Sequence, residues 1–305
     1  KKYPNIKVSG AAVENDVEKL LTALATGTGA PDVAWVHEVH YERLSAIDGL
    51  EDLLQPPYNA GQYRQNYTDN AWSLTMSLDG KRMFAFPYYL NPYVSFYRAD
   101  IMEENGYPSD PVELGKLIAD PDKFFEMGKT LATKGYTFFR WPAEITDLAN
   151  NGTGFYDHDL NYLRNTDEFV NAVEYAKKSL QLGMVPAEDI RGDKAAQLLK
   201  SNKLLFYHNP SSSWDYMKNN APDQSGKWRT TTLPFGMHPA RGLSEFAIPS
   251  QSKNKELAWE FIKFITMDQE ALTLWMKRGN VPSYLPAKDF PIVNEFKNEY
   301  LGGQN

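Results

Sequence analysis

The sequence predicts an α/β fold that is divided into two domains. Its 305 residues are more than one ordinary domain contains. Helical and strand patterns alternate along the whole chain, which is typical of α/β proteins and not of all-α or all-β ones. No flexible Gly/Ser linker separates the two halves. We therefore expect two α/β domains that share strands and enclose a cleft.

The first segments predict a strand, a helix and a strand. Residues 6–8 alternate as a short strand does, and apolar residues recur at helical spacing over 17–24 before Gly27. The apolar run 32–36 follows a Gly-Ala-Pro break and is typical of a buried parallel strand. Together these segments predict a βαβ unit.

Turn and capping residues mark the next elements. Asp79-Gly80 predicts a hairpin, and 94–97 predicts a further strand. Asp100 with Glu103 predicts a capped short helix.

The rest of the chain alternates in the same way. The predicted elements are a strand at 136–141, a helix at 169–180, a strand at 203–208, a helix at 257–265 and a further helix capped by Asp268.

Composition excludes several classes of function. The net charge is −7 and no Lys/Arg block is present, so we expect no nucleic-acid partner. No apolar run has the length of a membrane span. The absence of cysteine excludes disulfides, thiol nucleophiles and thiolate zinc sites. Aromatic residues make up 13% of the chain, which fits core packing and would also fit a cleft lined with rings that stack on sugars, and composition does not separate the two.

Four stretches, in this order and at this spacing, resemble the extracellular solute-binding proteins of bacterial sugar ABC importers, the group that includes the maltose-binding proteins. They are Lys2 to Val8, Leu21 to Trp35, Asp79 to Asp100, and Ser252 to Ile262. The second of these contains the motif Gly-Ala-Pro-Asp-Val. The resemblance implies a type II periplasmic-binding-protein-like fold. Its two lobes are joined by crossover strands, near 88–96 and 240–247, with the ligand cleft between them.

The resemblance also implies the domain division and the biology. Residues 1–92 plus 246–284 are expected to form the first lobe, and 93–245 plus 285–305 the second. The family's chains carry segments before and after the equivalent of these residues, so we expect truncation at both termini. The implied protein is a monomer without cofactor or enzymatic activity, located in the periplasm or lipid-anchored outside the cell membrane. Its expected partners are a sugar or oligosaccharide and the permease subunits of an ABC transporter.

The resemblance places ligand contacts of the first lobe at four positions. Trp35 and Glu38 match an aromatic residue and an acid that relatives offer to the ligand. A carboxylate suits sugar hydroxyls because charge-assisted hydrogen bonds are stronger than neutral ones. Asn91 matches a polar contact at the first crossover, where it is flanked by Tyr88, and an amide both donates and accepts.

The expected contacts of the second lobe are Trp214, Trp141, Arg241 and Gly242. Trp214 matches a ligand-stacking tryptophan of relatives at the start of a helix that faces the cleft. Trp141, Arg241 and Gly242 are matched more loosely.

The resemblance also implies two local features. Ser212 or Ser213 is expected to cap the helix that begins at Trp214. Where relatives usually carry Ser-Gly-Lys before the strand at 203–208, this chain has Asn202 in place of the glycine. Asn tolerates the left-handed conformation better than most residues, so Asn202 is expected to adopt it in the turn.

Other functions stay open at this stage. A binding protein for a non-sugar solute such as a polyamine would share the fold and also use aromatic residues, through cation–π contacts. A carbohydrate-active hydrolase would need paired carboxylates, and no spacing singles out a pair. His37-Glu38-Val39-His40 is one residue short of the zinc-protease motif. The acidic stretch that begins at Asp157 has the spacing of a calcium loop without its glycine, so no metal is expected.

Overall fold

The computed structural model describes residues 5–12, 16–151, 155–156, 160–186, 188–239 and 243–304, with the side chain of Glu38 outside the description. Among these residues the helices are α1 Asp16–Thr26, α2 Tyr41–Leu44, α3 Asp69–Ser73, α4 Ala99–Glu104, α5 Pro111–Ala119, α6 Pro121–Ala132, α7 Glu144–Asn150, α8 Asp167–Gln181, α9 Asp193–Lys200, α10 Trp214–Asn220, α11 Lys255–Met267, α12 Gln269–Met276 and α13 Ile292–Glu295.

The strands form two separate sheets within the described residues. They are β1 Ala34–His37, β2 Phe86–Leu90, β3 Tyr93–Arg98, β4 Phe206–Pro210, β5 Trp228–Thr231 and β6 Leu243–Ala247. The first sheet has the order β1-β6-β2 and the second β4-β3-β5, and every pairing of named strands is antiparallel. The α/β class predicted from the sequence is confirmed.

Both sheets are covered by helices that bury apolar faces. In the first lobe α11 lays Trp259 and Ile262 against Phe86 of β2. In the second lobe α6 buries Phe124 against Phe138 and Phe206. These helices have apolar residues at helical spacing, which is why they form amphipathic elements that need a sheet to cover.

The predicted opening βαβ unit is wrong. Residues 6–8 form no strand, and the segment predicted as a parallel strand at 32–36 becomes β1, which pairs antiparallel with β6. The apolar run identified a buried strand correctly, but its direction depends on a partner that lies at the other end of the chain.

Capping was predicted correctly at one helix and wrongly at two. The carboxylate of Asp268 accepts from the backbone N–H groups at the start of α12, as expected. Asp100 does not cap α4, because both of its oxygens accept from the guanidinium of Arg98, at 2.8 and 2.6 Å. Neither Ser212 nor Ser213 caps α10, since a 3-10 helix at Ser211–Ser213 leads directly into it.

Two local predictions are confirmed. Asn202 adopts the left-handed conformation with a φ of 58°. The hairpin predicted at Asp79-Gly80 is present. A turn at these residues connects two short segments, which pair through an antiparallel bridge between Met76 and Met83. The predicted strand at 136–141 is reduced to one parallel bridge between Thr137 and Leu204.

The chain passes between the sheets at Asn91-Pro92 and again between β5 and β6. Near its end it contacts both lobes, because Ala287 packs in the core around Trp259 whereas Tyr300 and Leu301 pack beside Trp228 of β5. Residues 285–305 were all expected in the second lobe. The structure instead packs the beginning of this segment on the first lobe and its end on the second.

Trp259 is expected to be a main support of the first core. Its ring is 4% exposed and lies 5.0 Å from Phe86 at a right angle. Replacing a buried tryptophan by alanine leaves a cavity, so Trp259→Ala should lower the free energy of unfolding by about 3–5 kcal/mol in urea titration.

Phe264 on the same helix is the matched control, because it is 48% exposed. Phe264→Ala should change the free energy of unfolding by no more than about 0.5 kcal/mol. Equal effects of the two substitutions would contradict the assignment of Trp259 to the core.

Candidate functional site

One edge of the first sheet faces the second lobe. β1 and β2 both run antiparallel to β6, so both end at the edge where β6 begins. His37 ends β1 there, and its Nδ1 lies 2.9 Å from Oγ of Ser244 in β6. From Leu90, the last residue of β2, the chain crosses directly to the second lobe through Asn91-Pro92.

The second sheet turns one edge toward the same crossover. Tyr93 begins β3 immediately after the crossover and pairs with Pro210, the last residue of β4. Ser211, the next residue, donates its backbone N–H to the carbonyl of Pro92 at 2.9 Å. The segment that follows β4 is therefore held against the crossover, on the side of the first lobe.

Trp141 lies at this same edge of the second lobe. The parallel bridge between Thr137 and Leu204 makes the segment before Trp141 run in the direction of β4. Because the carboxyl ends of parallel segments meet at one edge, Trp141 and the end of β4 share it. The backbone N–H of Ile190 donates to the carbonyl of Arg140 at 3.1 Å, which brings residues 190–191 to the edge as well.

Trp35 presents an aromatic surface on the first lobe. Its side chain is 43% exposed although its ring contacts those of His37, Tyr89, Phe246 and Trp275, with centroids 5.5 to 6.3 Å apart. A ring that is fixed by neighbours and still open to solvent is suited to stack on the apolar face of a ligand. Trp275 was not predicted to join this cluster, because α12 lies far along the chain from β1.

Tyr88 and Tyr89 lie at an irregularity of β2, where its register with β6 shifts. Their ring centroids are 5.2 Å apart, and both rings also contact Trp275. Tyr88 is 1% exposed and packs on Phe246 at 4.9 Å, and burial raises the pKa of its hydroxyl. Tyr89 is half-buried and belongs to the aromatic surface around Trp35. Tyr89 is therefore the more accessible of the two rings, and the ligand contact expected for Tyr88 stays a prediction.

Asn91 is buried and uses its amide within the protein. Its Nδ2 donates to Oδ1 of Asn280 at 2.9 Å and to Oγ of Ser212 at 3.2 Å, and its Oδ1 accepts from the backbone N–H of Val281 at 2.9 Å. These bonds satisfy the amide and tie the crossover to both lobes. Asn91 is thus placed to fix the lobes and not to offer a free group to a ligand.

Trp214 packs across the two lobes. A side chain added at Gly279, which follows α12 of the first lobe, would overlap the indole of Trp214. Beside this contact, Ser211 donates its hydroxyl to the carbonyl of Gly279 at 3.0 Å. The indole N–H of Trp214 is buried and has no hydrogen-bond partner among the residues that the structure describes. The ring that was predicted to stack on ligand thus lies against the backbone of the opposite lobe.

Trp141 is half-buried between charged neighbours. Its indole N–H donates to Oδ2 of Asp147 at 2.8 Å. The guanidinium carbons of Arg140 and Arg191 lie 4.5 and 4.3 Å from its ring centre. Because two guanidinium groups lie so close to the ring of Trp141, little of the ring surface is left for a sugar to stack on.

Arg140 and Glu144 form a buried ion pair that sequence reasoning missed. Arg140 Nε donates to Glu144 Oε1 at 2.9 Å, and Arg140 Nη2 also donates to the carbonyl of His208 at 2.9 Å. Burial raises the pKa of the Glu144 carboxyl, against the opposing effect of Arg140. The sequence does contain a signal for this pair, because two residues of opposite charge stand four positions apart next to an apolar run.

His208 is buried beside this pair. Its Nδ1 lies 3.0 Å from Oγ of Ser95, and its ring stacks on Phe206 with centroids 5.7 Å apart. Burial, assisted by the charge of Arg140, lowers the pKa of the imidazole to about 3. His208 is therefore neutral in the folded protein across the physiological range.

The remaining predicted residues lie outside the described part of the chain. Arg241, Gly242, and Asp157 of the calcium-like loop are among them, and for Glu38 the structure describes only the backbone, within a 3-10 helix at Glu38–His40. No group of three or more His, Asp or Glu side chains suited to a metal ion is present in the residues described. Nor does any helix there have both the length and the apolar character that crossing a membrane requires.

A comparison with protein families matches residues 2–297 to the family of bacterial extracellular solute-binding proteins. The chain is 21% identical to the arabinooligosaccharide-binding protein of Halalkalibacterium halodurans, over 92% of this chain and 64% of that protein. It is 24% identical to the protein of the same description from Bacillus subtilis, over 99% of this chain and 73% of that one. The chain thus spans slightly less than two thirds of the first of these relatives.

Solved structures show the same fold. An extracellular solute-binding protein of family 1 superposes with a TM-score of 0.84 at 21% identity, over 99% of this chain and 79% of that one. The galacto-N-biose-/lacto-N-biose I-binding protein of Bifidobacterium longum gives 0.78 at 20% identity, over 99% and 76%. The two-lobed type II fold expected from the sequence is thereby confirmed.

His208 makes the stability of the protein depend on pH. Because its pKa falls from an ordinary 6.5 to about 3 on folding, the unfolded chain binds the proton first as the pH drops. The contribution of His208 to stability is therefore fully present above pH 6.5 and is lost towards pH 3, by up to ~1.4 kcal/mol per pH unit. His208→Asn keeps a polar group near Ser95 but does not titrate.

Urea titrations at pH 7, 6 and 5 measure this contribution. The wild-type protein should lose about 1 kcal/mol more per pH unit between pH 6 and 5 than the variant does. Parallel curves for the two proteins would show that His208 is protonated equally easily in both states.

Gly279 should be required for the contact with Trp214. Gly279 and Gly226 both have a φ of 82°, but a Cβ on Gly226 meets nothing within 4 Å. The two Gly→Ala variants thus share the backbone strain, and only Gly279→Ala adds overlap with the indole. We expect Gly279→Ala to be less stable than Gly226→Ala by about 1–3 kcal/mol.

A double-mutant cycle with Trp214→Ala isolates the contact. In the Trp214→Ala background most of the difference between the two glycine variants should disappear. A small part should remain, because the added Cβ also lies 3.2 Å from the carbonyl oxygen of Ser211. A difference between the glycine variants that removal of the indole leaves unchanged would contradict packing of Trp214 across the lobes.

Proposed function

The chain belongs to the family of bacterial extracellular solute-binding proteins, and on that premise we propose that it captures a sugar or oligosaccharide for an ABC importer. The ligand site proposed is the cleft between the two strand edges that face the crossover. The protein works outside the cytoplasm, in the periplasm or on a lipid anchor, and hands the ligand to the permease subunits. It makes and breaks no covalent bond.

The exposed ring of Trp35 is the observation that carries the sugar assignment. Because this side chain is 43% exposed, a ligand that covers it gains hydrophobic free energy. Its position next to the edge of β1, with Tyr89 and Trp275 around it, provides a flat apolar surface in the cleft. The C–H faces of a sugar ring match such a surface.

The relatives support a neutral oligosaccharide as ligand. Two relatives are described as binding arabinooligosaccharides, and two structural neighbours hold lacto-N-biose and β-1,6-galactobiose. None of these sugars carries a charge. We propose the same class of ligand for this chain, without assigning the sugar or its linkage.

Hinge closure is the proposed mechanism. The ligand binds to one lobe, the other lobe rotates over it, and the closed form is what the permease recognises. Binding free energy shifts an equilibrium between open and closed forms in proportion to the contacts made only when closed. The crossover at Asn91-Pro92 and the contact between Ser211 and Gly279 are where the lobes meet, and both involve few side chains.

Binding of neutral sugars tests the proposal directly. Arabinotriose, β-1,6-galactobiose, lacto-N-biose, maltose and spermidine are added in a thermal-shift screen, and calorimetry measures the dissociation constant of any that binds. A sugar present at about 100 times its dissociation constant should stabilise the protein by roughly 2.7 kcal/mol. Reducing-end assays should show that the sugar stays intact.

Trp35→Ala should weaken sugar binding by about 1–3 kcal/mol, through lost stacking and burial. Phe264→Ala removes a comparably exposed ring from the outer face of α11 and should bind as the wild type does. If spermidine is the only compound of the panel that binds, the ligand is a polyamine and not a sugar. Sugar binding that Trp35→Ala leaves unchanged would move the site away from this surface, and hydrolysis of a sugar by the pure protein would make it an enzyme.

A further inference from the structure

Arg191 is an exposed side chain that is nevertheless held in place from several sides. Its Nε donates to Oδ1 of Asp189 at 2.9 Å, and its Nη2 lies 3.5 Å from Oδ2 of Asp147. Its guanidinium carbon lies 4.3 Å from the ring centre of Trp141. The side chain is still 58% exposed, so the guanidinium is both oriented and accessible to a ligand.

The support beneath Arg191 is itself fixed. Asp147 receives the indole N–H of Trp141 at 2.8 Å on the same oxygen that faces Arg191. The ring of Trp141 rests on Arg140, whose charge is neutralised by the buried carboxylate of Glu144. Trp141 therefore connects a buried ion pair to an exposed guanidinium.

Stability does not account for this arrangement. Ion pairs between exposed side chains contribute about 0–1 kcal/mol, because water screens the charges and ordering a long side chain costs entropy. A guanidinium that is ordered before the ligand arrives loses less entropy on binding, which raises affinity. The ordering of Arg191 is thus useful to binding more than to folding.

Arg191 also has a suitable location. Residues 190–191 are held at the end of the segment before Trp141 by the bond from Ile190 N–H to the carbonyl of Arg140. That end belongs to the edge of the second lobe that faces the first. The exposed guanidinium is therefore at the cleft, on the lobe opposite Trp35.

We propose that Arg191 is a ligand-recognition residue of the second lobe, which donates hydrogen bonds to the hydroxyl oxygens of a neutral sugar. In this inference, which rests on the proposed function, Trp141 and Asp147 are positioning residues and Trp141 does not itself stack on the sugar. The charges disfavour an anionic ligand, because Asp147 and Asp189 together exceed the single charge of Arg191. Their carboxylates also accept from sugar hydroxyl groups.

Variants of Arg191 test the proposal with the sugar that binds the wild type most tightly in the panel named above. Arg191→Met keeps the apolar stem and removes the donors, and Arg191→Lys keeps the charge but loses the planar fork. Lys194→Met is the matched control, since Lys194 is also exposed and pairs with an acid, Glu188, at 3.1 Å. Melting temperatures of the free proteins check that each variant is folded.

We expect Arg191→Met and Arg191→Lys to raise the dissociation constant of the sugar about 10- to 100-fold, and Lys194→Met to leave it unchanged. Trp141→Phe, which keeps a ring but loses the bond to Asp147, should produce a smaller increase in the same direction. Melting temperatures of the ligand-free variants should stay within about 2 °C of the wild type.

Three results would overturn the assignment. Wild-type affinity in both Arg191 variants would remove Arg191 from the site while leaving the proposed function intact. Equal losses in the Arg191 variants and Lys194→Met would indicate a general effect of surface charge. Binding of digalacturonate more tightly than any neutral sugar, lost in Arg191→Met, would assign Arg191 to a carboxylate ligand. Failure of the wild type to bind any neutral sugar would instead contradict the proposed function.

Discussion

The rest of the structure depends on the strand at the centre of the first sheet. β6 lies between β1 and β2 and bonds to both, yet its residues come after the whole second sheet in the chain. The first lobe therefore cannot complete its sheet until the chain has left it, formed the second lobe and returned. Because of this requirement the chain has to cross between the lobes more than once, and no separate linker connects them. The crossings lie next to the strand ends that border the cleft.

Interactions within the lobes differ in kind from those between them. Each lobe has its own buried aromatic core, and the second also contains the Arg140–Glu144 pair, which costs free energy if either partner is removed. Between the lobes the described contacts around Asn91, Ser211 and Gly279 are single hydrogen bonds and the face of one indole. Large packed cores move as rigid bodies, whereas a few bonds at a crossover are a small barrier to rotation.

In the site that we propose, the chemistry of the two cleft edges is complementary to a sugar. The first lobe contributes an exposed aromatic surface around Trp35, and the second contributes the fixed guanidinium of Arg191 with its two carboxylates. A sugar has an apolar C–H face and a polar rim of hydroxyl groups, so one ligand satisfies both surfaces only when the lobes approach each other. In our proposal, recognition and closure are for this reason the same event.

Sequence alone determined the features whose physical causes are local. Helices α8 and α11, the Asp268 cap and the left-handed Asn202 depend on residues within a few positions, and the pattern of apolar residues encodes them. Tertiary structure decided which partner each group meets: the antiparallel direction of β1, the salt bridge that keeps Asp100 from capping α4, the burial of Tyr88 against Phe246, and the contact of Trp214 with Gly279. Apart from Asp100, which bonds to Arg98 two residues before it, these outcomes depend on residues far along the chain, and periodicity carries no information about which distant segments fold against each other.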